Sequence, residues 1–347
     1  YVTGAENNGL FKEGDVVNIS ARLSEAVNVS GATPYLTLSV GSSYNVDYSS
    51  GTGTQYLNFE YTVQAGHNSS DLDYTATGSL SANGATITDA AGNTAVLTLA
   101  SPAATNSLGS AKNYVIDTTA PTVAITGNQG ASGSTTAASS ITLSIDVSET
   151  PTGLTAADLT YTSAGSGTGS FGSLTATGSS PEYTIVFTPG SNDTFTFAMA
   201  GGVFTDAVGN NNTAASNFSW EYDNTAPTLS GVAMVSNNTT TTLAKVADVV
   251  TLTFTASETI STPVVTFESG SAAVTDTSIT YVNTSGNTWT AAYTADASDT
   301  DGAVTYSIAF TDGTNAGTAV TGGGVTFDDT VPTLSSVAIA SDNTTTT

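Results

Sequence analysis

The sequence predicts an all-β protein made of tandem β-sandwich domains, and three observations support this. Serine and threonine make up roughly a third of the 347 residues and glycine adds 34, a composition typical of strands and turns rather than helices. Apolar and polar residues alternate over short runs, as in half-buried antiparallel strands. The same motifs return at domain-sized intervals, which indicates repeated modules.

The first recurring motif contains a proline and separates the repeats. The segment Asp117-Thr-Thr-Ala-Pro121-Thr recurs as Asp223-Asn-Thr-Ala-Pro227-Thr and Asp328-Asp-Thr-Val-Pro332-Thr, so the prolines are 106 and 105 residues apart. Because proline fixes φ and biases the preceding residue toward extended backbone, each copy is predicted to be a short, semi-rigid connector.

These connectors divide the chain into domains. The predicted domains are residues 1–119, with an incomplete first strand, 120–225 and 226–330. Residues 331–347 are predicted to be the first strand of a further repeat, because the segment from Val337 repeats the segment from Val232.

Two more motifs keep the same order within each repeat. The first is a Ser-Glu pair that closes an early alternating strand, at Glu25, Glu149 and Glu258. The second is a late turn, Asp89-Ala-Ala-Gly-Asn93, which recurs as Asp206-Ala-Val-Gly-Asn210 and, one residue shorter, as Asp312-Gly-Thr-Asn315. Glycine and asparagine suit a tight turn between two strands.

The strand count indicates the kind of sandwich. Alternation in the third repeat predicts strands near 229–235, 249–256, 263–268, 279–282, 287–294, 303–310 and 325–327. The second repeat gives strands near 123–126, 141–147, 158–162, 183–188, 194–199 and 216–222, and the first includes 35–40, 56–63 and 96–99. Seven short strands in about 100 residues is typical of an immunoglobulin-like sandwich. A β-helix would have a much shorter period.

Together, the three motifs resemble the tandem immunoglobulin-like repeats of giant bacterial surface adhesins and related extracellular stalk proteins. The resemblance covers all three repeats and is specific to this class of repeat rather than to one protein. It implies sandwich domains in an extended array, outside the cell, whose calcium-rigidified chain holds a distal ligand-binding tip away from the cell surface.

Charge and composition exclude several other functions. With 29 acidic and 4 basic residues, the chain has a formal net charge of −25, so it should bind neither nucleic acid nor an anionic membrane surface. No apolar run is long enough to cross a bilayer, and no direct membrane insertion is expected. Without cysteine, and with His67 as its one histidine, the chain is poorly suited to thiolate, zinc or triad chemistry. We therefore expect no enzymatic activity, with His67 at the surface and Trp220 and Trp289 in the cores.

Strand parity predicts where the acidic side chains gather. Consecutive strands run in opposite directions, so the Ser-Glu pair and the late turn should both lie at the N-terminal pole of a repeat and face the acids at the C-terminal pole of the preceding repeat. The first junction is predicted to collect Asp71, Asp73, Asp117, Glu149 and Asp206, and the second Asp193, Asp223, Glu258 and Asp312. An all-oxygen cluster of six to eight ligands suits Ca²⁺ better than Mg²⁺. For any single acid, an ordinary turn or a solvated strand end is an equally good interpretation.

Two functions are consistent with these features. The first is a structural extender, or stalk, in a long extracellular adhesin or surface filament, with neighbouring repeats of the same chain as its partners. The second is a surface-layer lattice protein, or a filament subunit joined to identical copies by strand addition. A carbohydrate-binding module would need a cluster of exposed aromatic side chains, which the sequence does not offer.

Overall fold

A computed structural model of the chain describes residues 1–179 and 181–342. These residues form two compact units, one made of residues 1–134 and 140–220 and the other of residues 135–139 and those from 221 onward. The first unit holds the first repeat and most of the second, and the other holds the third repeat. Residues 331–342, predicted to begin a strand of a further repeat, have no strand pairing, and residues 343–347, the end of that predicted strand, lie outside the described residues.

The first repeat is built from ten strands and one short helix. They are β1 (Val2–Gly4), β2 (Gly9–Phe11), β3 (Val16–Ser30), β4 (Tyr35–Ser39), β5 (Ser43–Ser50), β6 (Thr54–Thr62), β7 (Asp73–Tyr74), β8 (Leu80–Ser81), β9 (Thr86–Thr88), α1 (Leu108–Ala111) and β10 (Tyr114–Ile116). One sheet has the order β1-β3-β6-β5-β4-β7, with β8 on β4 and β9 on β3. Strands β2 and β10 form a separate parallel pair.

Strand β3 departs from the prediction because it does not stop at the Ser-Glu pair. It pairs with β6 through Arg22 and, after a register shift, again at Val27, and its last three residues pair with β9. Glu25 therefore lies inside a 15-residue strand and is exposed, whereas Glu149 and Glu258 follow the ends of their strands. The strand predicted at 96–99 was also wrong: this segment has no strand pairing, and Val96 is 81% exposed.

The turn between β5 and β6 depends on a glycine. Gly51 has a φ of +120°, and a Cβ there would lie 1.9 Å from the carbonyl oxygen of Tyr56. We expect Gly51→Ala to lower the free energy of unfolding of the first repeat by about 2–3 kcal/mol, measured by differential scanning calorimetry.

Gly53→Ala is the matched control for this substitution. Gly53 has a φ of +77°, but an added Cβ meets nothing within 4 Å. The expected cost is therefore only about 1 kcal/mol. Equal costs at the two positions would contradict the steric argument.

The second repeat is a sandwich of two sheets. Its strands are β11 (Val123–Gly127), β12 (Ser134–Thr136), β13 (Ile141–Val147), β14 (Leu159–Ser163), β15 (Gly169–Phe171), β16 (Thr175–Ala176), β17 (Glu182–Pro189), β18 (Asp193–Met199) and β19 (Phe218–Tyr222), with a 3₁₀ turn at Ala156–Asp158. The sheet orders are β11-β13-β17-β15, with β16 on β17, and β12-β19-β18-β14. Phe187 of one sheet packs against Phe195 and Phe197 of the other, with ring centroids 4.9 Å apart in both pairs.

The third repeat has the same construction. Its strands are β20 (Leu229–Ser236), β21 (Leu243–Ala244), β22 (Val249–Ala256), β23 (Val264–Ser269), β24 (Ala272–Ala273), β25 (Thr280–Ser285), β26 (Thr288–Thr294), β27 (Gly302–Ala309) and β28 (Val320–Phe327). They form sheets of order β20-β22-β26-β25 and β21-β28-β27-β23-β24 around one core. All seven predicted strands have counterparts. Strand β28 begins earlier than predicted because Gly322–Gly324 hides its alternation.

The predicted cores are largely confirmed, with one correction. Trp220 and Trp289 are 1% and 9% exposed, as expected. His67, expected at the surface, is 8% exposed and its ring packs edge-on against Tyr44. Its Nδ1 lies 2.8 Å from the Tyr61 hydroxyl. The polar loop around His67 gave no periodic signal that could have indicated this burial.

Candidate metal-binding sites

The structure contains two acidic clusters of the same composition. Asp117, Glu149 and Asp206 form the first acidic cluster, and Asp223, Glu258 and Asp312 form the second acidic cluster. In each cluster, one oxygen from every carboxylate lies within 4.8 Å of the others. Each set combines one connector aspartate, the glutamate of a Ser-Glu pair and the aspartate of a late turn.

The connector aspartates are fixed by their own turns. Asp117 directly follows β10, and its Oδ1 accepts a hydrogen bond from the Thr119 amide at 2.9 Å. Asp223 directly follows β19, and its Oδ1 accepts from the Thr225 amide at 3.0 Å. Such Asx turns hold the carboxylate near its own backbone. One oxygen of each carboxylate accepts the hydrogen bond from this amide, so the carboxylate is held at the start of the connector.

The serine of each Ser-Glu pair anchors the far end of the connector. The Thr122 amide donates to Ser148 Oγ at 2.9 Å, and the Ser148 amide donates back to the Thr122 carbonyl at 3.0 Å. Thr228 and Ser257 make the same two bonds, each at 2.9 Å. The glutamate that follows each serine is thereby placed beside the connector, which explains why the two residues recur together.

The late turn is organised by its aspartate. Asp206 is 2% exposed, and its Oδ1 accepts the amides of Val208, Gly209 and Asn210 at 2.8, 2.6 and 2.9 Å. Its Oδ2 accepts from Asn210 Nδ2 at 2.8 Å. These bonds satisfy a buried carboxylate and aim one of its oxygens toward the connector.

The asparagine that ends each turn binds the connector directly. Asn210 Nδ2 also donates to the Asp117 carbonyl at 3.0 Å, and Asn315 Nδ2 donates to the Asp223 carbonyl at 3.1 Å. The shorter turn of the third repeat keeps this arrangement, with Asp312 Oδ1 accepting the amides of Thr314 and Asn315 at 2.6 Å each. Loss of one residue therefore leaves Asp312 in its cluster.

The carboxylates in each cluster repel one another. The pKa of Glu149 is raised above its ordinary 4.5, mainly by burial and then by the negative charges of Asp206 and Asp117. The pKa of Glu258 is raised in the same way, mainly by burial and then by the negative charges of Asp312 and Asp223. A glutamate whose pKa is raised by folding favours the folded state at low pH, and this contribution is lost as the pH rises through the raised pKa. At neutral pH without a cation, the repulsion between the charged carboxylates of each cluster therefore destabilises the folded connector.

Three predicted residues lie elsewhere. Asp193 caps a loop of its own repeat: its Oδ2 accepts the amides of Gly165 and Gly167 at 3.0 and 2.6 Å. The hydrogen bond from the Gly167 amide, followed by that from the Gly165 amide, holds the pKa of Asp193 below its ordinary value. Asp73 Oδ2 accepts the Ala103 amide at 2.9 Å. Burial, and then the charge of Asp73, raise the pKa of the neighbouring Asp71.

Strand parity therefore did not predict the partners of these three residues. The loops that they organise were irregular in sequence. The anchoring serines and bridging asparagines were overlooked in the sequence, although both belong to the recurring motifs.

The donor set of each cluster fits a hard divalent cation. Two oxygens bound to one Ca²⁺ at about 2.3–2.6 Å lie at most about 5 Å apart, and the observed spacing within 4.8 Å meets this limit. Every ligand atom that the three carboxylates offer is an oxygen. A bound cation would also relieve the repulsion between the carboxylates that raises the pKa of each glutamate. Each cluster can therefore bind a metal ion.

The fold defines a class of protein, a tandem of immunoglobulin-like sandwich domains. Residues 117–222 match the family model of the bacterial immunoglobulin-like domain, from the connector Asp117 to the end of β19. The second repeat is therefore similar to this family, in agreement with the predicted class of tandem bacterial immunoglobulin-like repeats. No curated protein sequence matches the chain.

Several solved structures are similar at low identity. The titin I9–I11 tandem is 10% identical, over 94% of this chain and 98% of that chain, with a TM-score of 0.26. The ectodomain of mouse nectin-like molecule 4 is 9% identical, over 95% and 100%, with a TM-score of 0.28. The Yersinia pseudotuberculosis adhesin InvE is 15% identical, over 60% and 58%, with a TM-score of 0.24. In the described part of this chain, no helix has the length and apolarity needed to span a membrane.

Proposed function

We propose that the chain is a structural extender segment of a long extracellular adhesin or surface filament, and that calcium stiffens its connectors. The observation that carries this proposal is the recurrence of one acidic cluster at two successive connectors, built from the same three motifs each time. Ordinary turn or solvated acids would have no reason to converge twice on the same arrangement.

Chain connectivity gives the clusters a mechanical role. Asp117 and Asp223 are the residues that directly follow the last strand of one repeat, and their cluster partners belong to the next repeat. A cation held by all three carboxylates would tie the end of one sandwich to the loops of the next. In tandem arrays each module contacts mainly its neighbours, so the stiffness of these ties would set the stiffness of the whole array.

Calcium is the cation that this chemistry favours. It accepts six to eight oxygen ligands in flexible geometry, and extracellular sites bind it at about 10⁻⁴–10⁻³ M. Magnesium requires a near-ideal octahedron and keeps its waters, which suits a partly buried cluster of three carboxylates less well. Buried cores in each repeat mean that calcium should change the connectors more than the folding of the sandwiches.

Small-angle scattering on the purified chain, with calcium and with a chelator, tests the proposal. We expect calcium to narrow the distribution of particle dimensions, while the far-ultraviolet circular dichroism changes little. Magnesium at the same concentration is the control and should have a weaker effect. Equal scattering with and without chelator would refute calcium stiffening.

The same samples distinguish the alternative functions. An extender segment should stay monomeric with calcium, with its neighbouring repeats as its only partners. A surface-layer lattice protein would form sheets, and a filament subunit joined by strand addition would form linear multimers. Either assembly in sedimentation or electron microscopy would replace the extender proposal.

A further inference from the structure

Lys12 lies beside the late turn that supplies Asp206 to the first acidic cluster. It follows β2, and the parallel pairing of β2 with β10 ends at Phe11 and Ile116, so Lys12 and Asp117 are next in register. The Asp117 amide donates to the Phe11 carbonyl at 3.0 Å, which continues this pairing. The half-buried Lys12 side chain extends to the second repeat, where its Nζ donates to the Gly209 carbonyl at 3.0 Å.

The acceptor of this bond belongs to the turn that supplies a cluster carboxylate. The Gly209 amide donates to Asp206 Oδ1 at 2.6 Å, so the lysine holds the peptide segment that shapes the late turn. A hydrogen bond from an ammonium group is stronger than one between neutral groups. Lys12 thus joins the first repeat directly to the second, with no metal ion involved.

The second acidic cluster has no lysine at the matching position. In the second repeat the Asp223 amide donates to the Thr136 carbonyl at 3.1 Å, as Asp117 does to Phe11. The residue after this acceptor is Ala137, where the first repeat has Lys12. The third repeat returns to the first pattern, because the Asp328 amide donates to the Ala244 carbonyl at 3.0 Å and Lys245 follows.

We propose that Lys12 is a built-in cation of the first acidic cluster, which holds this connector in place without metal and weakens calcium binding there. The second acidic cluster, with Ala137 in place of the lysine, depends on bound calcium for the same purpose. The statement about calcium rests on the proposed function, whereas the lysine tether does not. The two connectors then differ in calcium dependence although their carboxylates are equivalent.

The tether is tested in chelator by hydrogen exchange. Thr122 and Thr228 are matched reporters, because each amide is bonded to the serine of a Ser-Glu pair at 2.9 Å. We expect the Thr122 amide to be better protected than the Thr228 amide in the wild type. Lys12→Met should raise exchange at Thr122 roughly tenfold and leave Thr228 unchanged. Unchanged exchange at Thr122 would overturn the tether.

Calcium titration tests the effect on affinity. In a Glu258→Gln background, which isolates the first acidic cluster, Lys12→Met should tighten calcium binding roughly three- to tenfold. In a Glu149→Gln background, Ala137→Lys should weaken binding at the second acidic cluster by a similar factor. Lys245→Met is the control and should change neither affinity. Unchanged affinity in Lys12→Met would overturn the cation role.

The two arms separate this inference from the proposed function. If neither cluster binds calcium but Lys12→Met still raises exchange at Thr122, the calcium proposal fails and the tether stands. If calcium binds both clusters equally and Lys12→Met changes nothing, calcium binding stands and the inference fails.

Discussion

Replacing Glu149 and Glu258 together by glutamine should abolish most of the stabilisation that calcium gives to the chain. Each glutamate supplies a carboxylate to one cluster, and glutamine keeps its size but removes the charge that attracts the cation. A site that binds only the folded state contributes about 2.7 kcal/mol when calcium is present at 100 times its dissociation constant. Thermal unfolding with and without calcium measures this shift, and each single variant should lose only the part that its own cluster contributes, with the larger loss for Glu258→Gln.

The control for these variants lies in the first repeat. Glu25 belongs to the same Ser-Glu motif, but it is exposed within β3, and Glu25→Gln should keep the full calcium shift. In chelator at neutral pH, the double variant should be at least as stable as the wild type, because it lacks two repelled carboxylates. A full calcium shift in the double variant would show that the clusters are not the binding sites.

Most of the fold could be predicted from the sequence because strands such as β13, β22 and β26 bury every second residue. In β22 every second residue is buried, and this alternation gave the strand its exact limits. The prediction was weaker where glycine replaces side chains, as in β28, or where one strand pairs with different partners along its length, as in β3. The helix α1 was missed because its four residues are too few for a helical period to be recognised.

The clusters were predictable for a different reason. Recurrence placed one aspartate or glutamate of each cluster in each of the three motifs, and connectivity brought these motifs to one pole. The contacts that organise the cluster, such as Asn210 to the Asp117 carbonyl, depend on loop conformations without periodicity. Asp71, Asp73 and Asp193 are acidic loop residues like those of the clusters, and the sequence offers no pattern that separates the two groups; in the structure Asp73 and Asp193 accept backbone amides of their own repeats.

The largest loss of stability is expected from Phe187→Ala in the second repeat. Phe187 is fully buried, and its ring lies within 5.2 Å, centroid to centroid, of Tyr161, Phe171, Phe195 and Phe197. Removing a buried phenylalanine costs about 3–5 kcal/mol, because the lost ring leaves a cavity that its neighbours fill only in part. For a domain of ordinary stability, about 5–15 kcal/mol, this is a large fraction of the total.

The two tryptophans allow the effect to be assigned to one repeat. Trp220 packs near Phe195 in the second repeat, whereas Trp289 belongs to the separate core of the third. In Phe187→Ala carrying Trp289→Phe, fluorescence should report a lower urea midpoint for the second repeat. In Phe187→Ala carrying Trp220→Phe, the fluorescence of Trp289 should show that the third repeat unfolds at the wild-type urea midpoint. Phe254→Ala should have the opposite effect, with a lower midpoint for the third repeat and an unchanged midpoint for the second. If both tryptophans reported one common midpoint that shifts in Phe187→Ala, the repeats would unfold as one cooperative unit. Chelation would then be expected to change the folding of the sandwiches as well as their connectors.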